Sequence, residues 1–315
     1  MHATSDTARR DRHHRLIAGL QLALVLAGLV AAGAAIVGAA DSVHRAGTTA
    51  HAVSVLGASF TYPAVNVAAA FLLLLAAAGV GVIMTGVIGA IRLRRGYRRF
   101  VEEVPIVGTL PGHPEVTVIP GELPQAFCAG FLRPRIFISA GAVDVLSRNE
   151  LEAVLRHEAR HLEARDPLRL ACARVLGRAL FFIPALTPLT ERSVALSELR
   201  ADDAAVTAAR GDRSALASAL LAFESGSPPG ASGITPERVD VLLGEQVEWR
   251  LPRSLIAVSV AGLTVLIVLL WKASSVASTR ATLDLPLVSA QPCMLVLALV
   301  PVATFVALLA TRRTH

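Results

Sequence analysis

Charge is scarce in this 315-residue chain. Charged residues make up 17% against 54% hydrophobic ones, a balance outside normal globular usage that points to membrane spans. Lysine is almost missing: Lys272 is the single lysine, so the net charge of +6 rests on arginine. Between Arg92 and Arg253 even that excess vanishes, with 21 Arg against 20 Asp plus Glu. No basic face with a base-reading motif stands out, so no direct nucleic-acid partner is expected. Cysteine is scarce too. Cys128, Cys172 and Cys293 form no CxxC pair and are odd in number, which argues against a disulfide framework or a cysteine-based zinc site. No internal repeat marks a solenoid.

Long apolar runs are plentiful. Four are long enough for a bilayer, which takes about 20 residues: 16–40, 64–91, 254–271 and 293–310, the last with Pro301 inside it. The first run follows Arg9, Arg10, Arg12 and Arg15, as a signal peptide would. A signal's apolar region is only ~7–15 residues, so a retained span is expected. Arginine placement then sets the orientation. Thirteen Arg flank the spans on one side, whereas the loops 41–63 and 272–292 carry only Arg45, Lys272 and Arg280. The positive-inside rule makes both termini and the middle of the chain cytoplasmic, in a multi-pass protein of the inner or plasma membrane. The expected domains are therefore a hairpin of spans over 1–91, a cytoplasmic domain over 92–253, and a second hairpin over 254–315.

Inside the middle region, VTVI (116–119), AFCAG (126–130) and RIFIS (135–139) read as short strands punctuated by Gly and Pro. From Ser147 the pattern turns helical, with Asn149 as the expected N-cap and Glu152 completing a capping box. Asp166-Pro167 ends that helix and is expected to cap the next, with Asp166 at the N-cap. The apolar run 172–189 is broken by Arg174, Arg178, Pro184 and Pro188; an amphipathic helix resting on the inner membrane face is expected, with a crossing as the alternative. The stretch SGSPPGASGITP (225–236) reads as a flexible loop.

The chemistry is carried by HEARH (157–161). Residues four apart share a helix face, so His157 and His161 can reach one ion. Zinc takes imidazole nitrogen at ~2.0–2.1 Å, and a catalytic zinc keeps three protein ligands and one open position. Glu158 is turned away by one residue and can approach water at that position, as a general base does. A third ligand is needed, and SELRADDAAV offers Glu198 with Asp202 one turn later. Asp202 could accept the free ring N–H of a ligand histidine and fix its tautomer. Blander readings compete. The Glu- and Arg-rich helix could be solvated and salt-bridged, Glu198 could pair with Arg200 or Arg192 on the surface, and Arg156 and Arg160 could meet lipid headgroups or acidic neighbours. His13, His14, His44, His51 and His113 show no ligand spacing.

FCAGFLRPRIFISAGAVDVLSRNELEAVLRHEARHLEARDPLRL, then FFIPALTPL, then SELRADDAAV, resemble the BlaR/MecR-type membrane metallopeptidases, gluzincins with a His-Glu-x-x-His helix and a downstream Glu-x-x-x-Asp helix. HtpX-like membrane proteases are also similar, since Glu198, Ala201 and Asp202 fit their Glu-x-x-Ala-Asp signature. The resemblance implies a mainly α membrane protein: four transmembrane helices plus a cytoplasmic α+β zincin-like domain with a small β-sheet. It implies a Zn2+ cofactor held by His157, His161 and Glu198, Glu158 as base and Asp202 behind the ligands. It further implies a protease core without the penicillin-binding sensor, cleaving a cytoplasmic or membrane protein, a transcriptional repressor being one candidate. A quality-control protease and a non-catalytic scaffold are the alternatives. RIFIS could pair with an extended substrate, unless Ile136 and Ile138 are core. Cleavage of its own loop at 225–236 is a further possibility.

Overall fold

The structure, a computed structural model, describes residues 2–46, 50–55, 58–63, 67–225, 235–243, 245 and 251–279. The expected span at 293–310 and most of the loop 225–236 lie outside the described residues. The elements in chain order are α1 (His2–Ala46), β1 (Ala50–Val55), β2 (Ala58–Pro63), α2 (Val67–Glu103), β3 (Gly108–Leu110), β4 (His113–Ile119), β5 (Ala126–Ala129) and β6 (Arg135–Ser139). The helices α3 (Ala140–Val145), α4 (Arg148–Ala164), α5 (Asp166–Ala179), α6 (Leu186–Ala208), α7 (Ser214–Ser225), α8 (Pro236–Leu243) and α9 (Arg253–Thr279) follow. Among the described residues three helical stretches are long and apolar enough to cross a membrane: Arg10–Asp41, Ala70–Glu103 and Arg253–Ser275. They take in all of the expected runs 16–40 and 254–271 and, of 64–91, residues 70–91. The second does not stop at its arginines, and α2 stays helical to Glu103.

The chain divides into two compact units, Met1–Ala31 with Val80–Leu266, and Ala32–Gly79 with Ile267–His315. In the second unit β1 and β2 form an antiparallel hairpin, in register from Ala50 opposite Pro63 to Val55 opposite Ala58. The backbones of α1 and α2 nearly touch there. A Cβ on Gly79 would stand 2.9 Å from the Ala32 carbonyl oxygen, the close approach that small residues permit between membrane helices.

The first unit holds the HEARH stretch on a mixed sheet and its helices. Sheet order is β3-β4-β6-β5, with β4 parallel to β6 and the other pairs antiparallel. Ile136 and Ile138 on β6 are buried with Val116, Leu146, Val154 and Leu155. The strand RIFIS is therefore interior, with Ile136 and Ile138 in the core as the second of the two readings had it, and it has no free edge for a substrate. The free edge on that side of the sheet is β5.

Helix α4 starts two residues earlier than expected. Ser147 is its N-cap, and the capping box pairs Ser147 with Glu150 rather than Asn149 with Glu152. The overlapping Ser-x-x-Glu and Asn-x-x-Glu spacings made both readable. The next boundary also differs. Arg165, at φ 53, is both the C-cap of α4 and the N-cap of α5, and its N–H reaches the carbonyls of His161 and Leu162. Asp166 is thus the first residue of α5, not its cap, and its side chain is free to turn back toward α4.

The run 172–189 is not one helix. It comprises the end of α5, a turn at 180–185 and the start of α6. Leu180, Ile183, Leu186 and Leu189 are buried in one cluster with Ile17, Leu24 and Val25 of α1. Polar pairs continue this seam: Gln21 donates to Thr190 and accepts from Ser193, Asp11 meets Arg200 at 2.7 Å, and Arg10 meets Asp203 at 2.6 Å.

Candidate metal centre

Helices α4 and α6 present their chemistry to each other. Val154 and Leu155 bury one side of α4 in the sheet core, which leaves His157, Glu158 and His161, all buried, on the side toward α6. The Nε2 atoms of His157 and His161 are 3.2 Å apart. Glu198 of α6 brings Oε2 to 3.4 Å from the first and Oε1 to 3.5 Å from the second. One ligand atom from each of these three side chains lies within 4.8 Å of the others. A tetrahedral ion with bonds of ~2.0–2.1 Å needs donor separations of about 3.3–3.4 Å. Two imidazole nitrogens at this separation, with a carboxylate that turns one oxygen toward each, are a donor set that fits zinc.

The outer ring nitrogens also have partners. His157 Nδ1 lies 2.9 Å from Asp202 Oδ1, at ion-pair distance though outside hydrogen-bond alignment. His161 Nδ1 is 3.0 Å from Asp166 Oδ2. Each carboxylate favours a proton on Nδ1, which leaves both Nε2 lone pairs for a cation. Asp166 was expected only to cap a helix; it is instead the counterpart of Asp202. Ser197 donates to Asp166 as well, and Arg169 approaches it at 3.3 Å. Arg169 in turn touches His14 of α1 at 3.1 Å, so that histidine is not incidental.

Sequence reasoning missed Arg238. It lies on α8, 4% exposed, and grips Asp202 through Nε at 2.8 Å and Nη2 at 2.6 Å. Its Nη1 reaches Glu198 Oε2 at 3.1 Å. A bidentate guanidinium of this kind fixes the carboxylate plane. The blander readings of the sequence apply elsewhere. Arg156 pairs with Glu152 on the surface, Arg160 approaches Glu163, and Arg200 turns to Asp11 rather than Glu198.

Electrostatics follow from this packing. Burial pushes the Glu158 carboxyl above its ordinary range, against the pull of His157 and His161. Burial alone would lower the His157 imidazole, but Asp202 and Glu198 outweigh it and hold it up at about 9. A cation at Nε2 competes with that proton. Burial would raise Asp166, Glu198 and Asp202, yet their histidine partners, with Ser197 or Arg238, hold all three below the usual carboxylate range.

A cavity of about 890 Å³ opens over the donors. The edge strand β5 lines it through Ala126, Phe127 and Cys128, next to His157 and Glu158. It continues along α5 and α6 past Gly177 and Thr187. The arrangement offers an ion site, an adjacent carboxylate that can exchange protons, and an open strand edge.

Among known proteins, three HtpX homologues illustrate the likeness. The chain is 32% identical over 87 residues to a "Protease HtpX homolog" of Pyrococcus furiosus, covering 27% of this chain and 30% of that one. It is 36% identical over 72 residues to "Protease HtpX homolog 2" of Methanosarcina mazei, covering 22% and 24%. It is 36% identical over 69 residues to a "Protease HtpX homolog" of Salinibacter ruber, covering 21% and 25%. The aligned stretch thus spans under a third of each relative. Residues 93–223 match the model of Peptidase family M48. The paired helices and their three donors therefore lie in a stretch that is similar to the metalloproteases of peptidase family M48.

Proposed function

We propose that this protein is a membrane-bound, zinc-dependent endopeptidase of the HtpX kind, with His157, His161 and Glu198 as zinc ligands and Glu158 as general base. The observation that carries the reading is the convergence of three buried or half-buried donors: His157 Nε2 and His161 Nε2 stand 3.2 Å apart, and the Glu198 carboxylate turns Oε2 to the first at 3.4 Å and Oε1 to the second at 3.5 Å. The similarity of residues 93–223 to peptidase family M48 supports the same reaction.

When bound, zinc would acidify water and polarise the scissile carbonyl. The chain's own residues supply the rest. Asp202 and Asp166 orient the two imidazoles. Arg238 keeps Asp202 and Glu198 in place and charged. Glu158 accepts the proton of the attacking water on its carboxylate and passes it to the leaving amine. An extended substrate pairs with the open edge of β5, which sets its carbonyl beside Glu158.

The substrate we propose is a protein at or in the membrane, with the catalytic domain 92–253 and both termini on the arginine-rich, cytoplasmic side. The HtpX homologues favour membrane-protein quality control. A BlaR/MecR-type regulatory role, with a repressor as substrate, is the weaker reading. It draws on the same two helices and has no further observation behind it.

The test is cleavage of a model membrane protein by the full chain in lipid nanodiscs, with zinc measured in parallel. Glu158→Gln should abolish cleavage and keep about one zinc per chain. Glu198→Ala should lose both. Full cleavage by Glu158→Gln would rule out the assigned base, and absence of bound zinc in the wild type would rule out the site.

A further inference from the structure

We propose that the turn between α5 and α6, residues 180–185, is inserted into the hydrocarbon layer of the bilayer, with Phe181 and Phe182 against acyl chains. The inference rests on reading α1, α2 and α9 as membrane spans, because each acts as a depth gauge.

The last charge before the apolar run of α1 is Arg15. Gln21, which binds Thr190 and Ser193, lies about 9 Å beyond it at 1.5 Å per residue. Gly28, where a Cβ would press on Ile183 and Leu180, lies about 20 Å beyond it. On α2 the first charge is Arg92. Gly89 faces Val175, and Gly86, about 9 Å in from Arg92, faces Ala179. On α9 the first charge is Arg253. Ser259, about 9 Å in, accepts a hydrogen bond from the Ala185 N–H at 3.1 Å. Val82 and Leu263, each about 15 Å from those arginines, join the cluster around Leu180 and Ile183. The hydrocarbon core is about 30 Å thick, so its midplane lies about 15 Å in. Three helices thus agree that α5 descends, turns near the midplane and returns as α6.

The turn suits that medium. Leu180, Ile183 and Leu186 donate their N–H groups to the carbonyls of Leu176, Leu180 and Ile183. Ala185 uses Ser259, and Pro184 has no N–H to satisfy. Non-helical backbone at membrane depth needs such internal partners. Phe181 is 77% exposed, although its neighbours Leu180 and Ile183 are buried. Of the charges nearby, Arg174, Arg178 and Glu191 line the cavity that leads to the metal donors, and Arg192 is half-buried on α6. Charged groups at this depth belong in a hydrated crevice. One side of the α5–α6 wedge therefore meets lipid, while the other carries a groove that holds Arg174, Arg178 and Glu191 down into the bilayer.

The experiment is spin-label accessibility in nanodiscs of phosphatidylethanolamine and phosphatidylglycerol. Cys128, Cys172 and Cys293 are first replaced by Ser. Nitroxides are then placed one at a time through Phe181→Cys, Phe182→Cys, Leu22→Cys and Asn149→Cys. Leu22 is a lipid-facing gauge on α1, 60% exposed, and Asn149 sits at the far end of α4 from α5. Zinc content checks that each variant is folded. The expected result is a ratio of oxygen to nickel-chelate collision rates several-fold higher at 181 and 182 than at 149, close to that at 22. Nickel-favoured labels at 181 and 182, with 22 still oxygen-favoured, would put the turn in water and overturn the proposal. Low collision with both reagents would mean that protein covers the turn, which also overturns it. A nickel-favoured label at 22 would instead refute the spans themselves.

Discussion

Replacing Asp166 with Asn separates two physical roles for one carboxylate. Asp166 is 5% exposed, and its Oδ2 lies 3.0 Å from His161 Nδ1. Asn keeps the volume and can still accept the ring N–H, but it removes the negative charge that makes Nε2 a stronger donor. Losing such a partner behind a metal ligand typically costs 10–100-fold in metal affinity, or about 1.4–2.8 kcal/mol. Were Asp166 only an acidic residue in the first turn of α5, the change would remove about 0.3–1 kcal/mol of helix-terminus stabilisation and leave zinc affinity alone. The two cases differ in kind as well as size. Competition with a fluorescent zinc chelator, run beside thermal unfolding in the same detergent, distinguishes them. A lowered melting temperature with unchanged zinc affinity would refute the role given to Asp166. The same assay on Ser197→Ala, which keeps the carboxylate but removes its second donor, should give a smaller loss in the same direction.

Other outcomes follow from the same geometry. Glu158→Gln should lower the cleavage rate by about 10²–10⁴-fold with little change in zinc content, read from initial rates. Arg238→Met should cost about 3–5 kcal/mol of stability, because it strands the buried Asp202 beside Glu198; chemical denaturation measures it, and Arg238→Lys should recover only part, since one ammonium cannot span both carboxylates. The Cys128 thiol is pushed up to about 12, chiefly by burial and then by Glu158 and Asp166. Because a raised thiol pKa removes thiolate at neutral pH, its alkylation should be slower than that of a free thiol by on the order of 10³-fold, by peptide mass spectrometry.

How much was legible in the sequence depended on whether a feature is local. HEARH and the Glu198–Asp202 pair are spacings within single helices, so their faces could be read directly, and the structure brings those faces together. The first three spans were legible for the same reason. Arg238 was not, because it is a lone arginine on an eight-residue helix and nothing in its neighbourhood spells out Asp202. Asp166 was misread because Asp-Pro is a strong local signal for a cap; the left-handed Arg165, which turns the carboxylate back to His161, leaves no such mark. Strand order was likewise beyond local pattern. RIFIS has the composition of an interior strand, and only pairing with both β4 and β5 settles that it is one.

The clasp between α1 and α6 bears on how this protein can be handled at the bench. Glu198 rides on a helix whose far side is tied to the N-terminal span at Arg10, Asp11 and Gln21. A truncation that began at residue 92 would strip away those ties and bare the leucines of α6 to solvent. Any soluble version would have to carry residues 10–28 along as a grafted strap, or substitute a designed helix with the same charges in the same order.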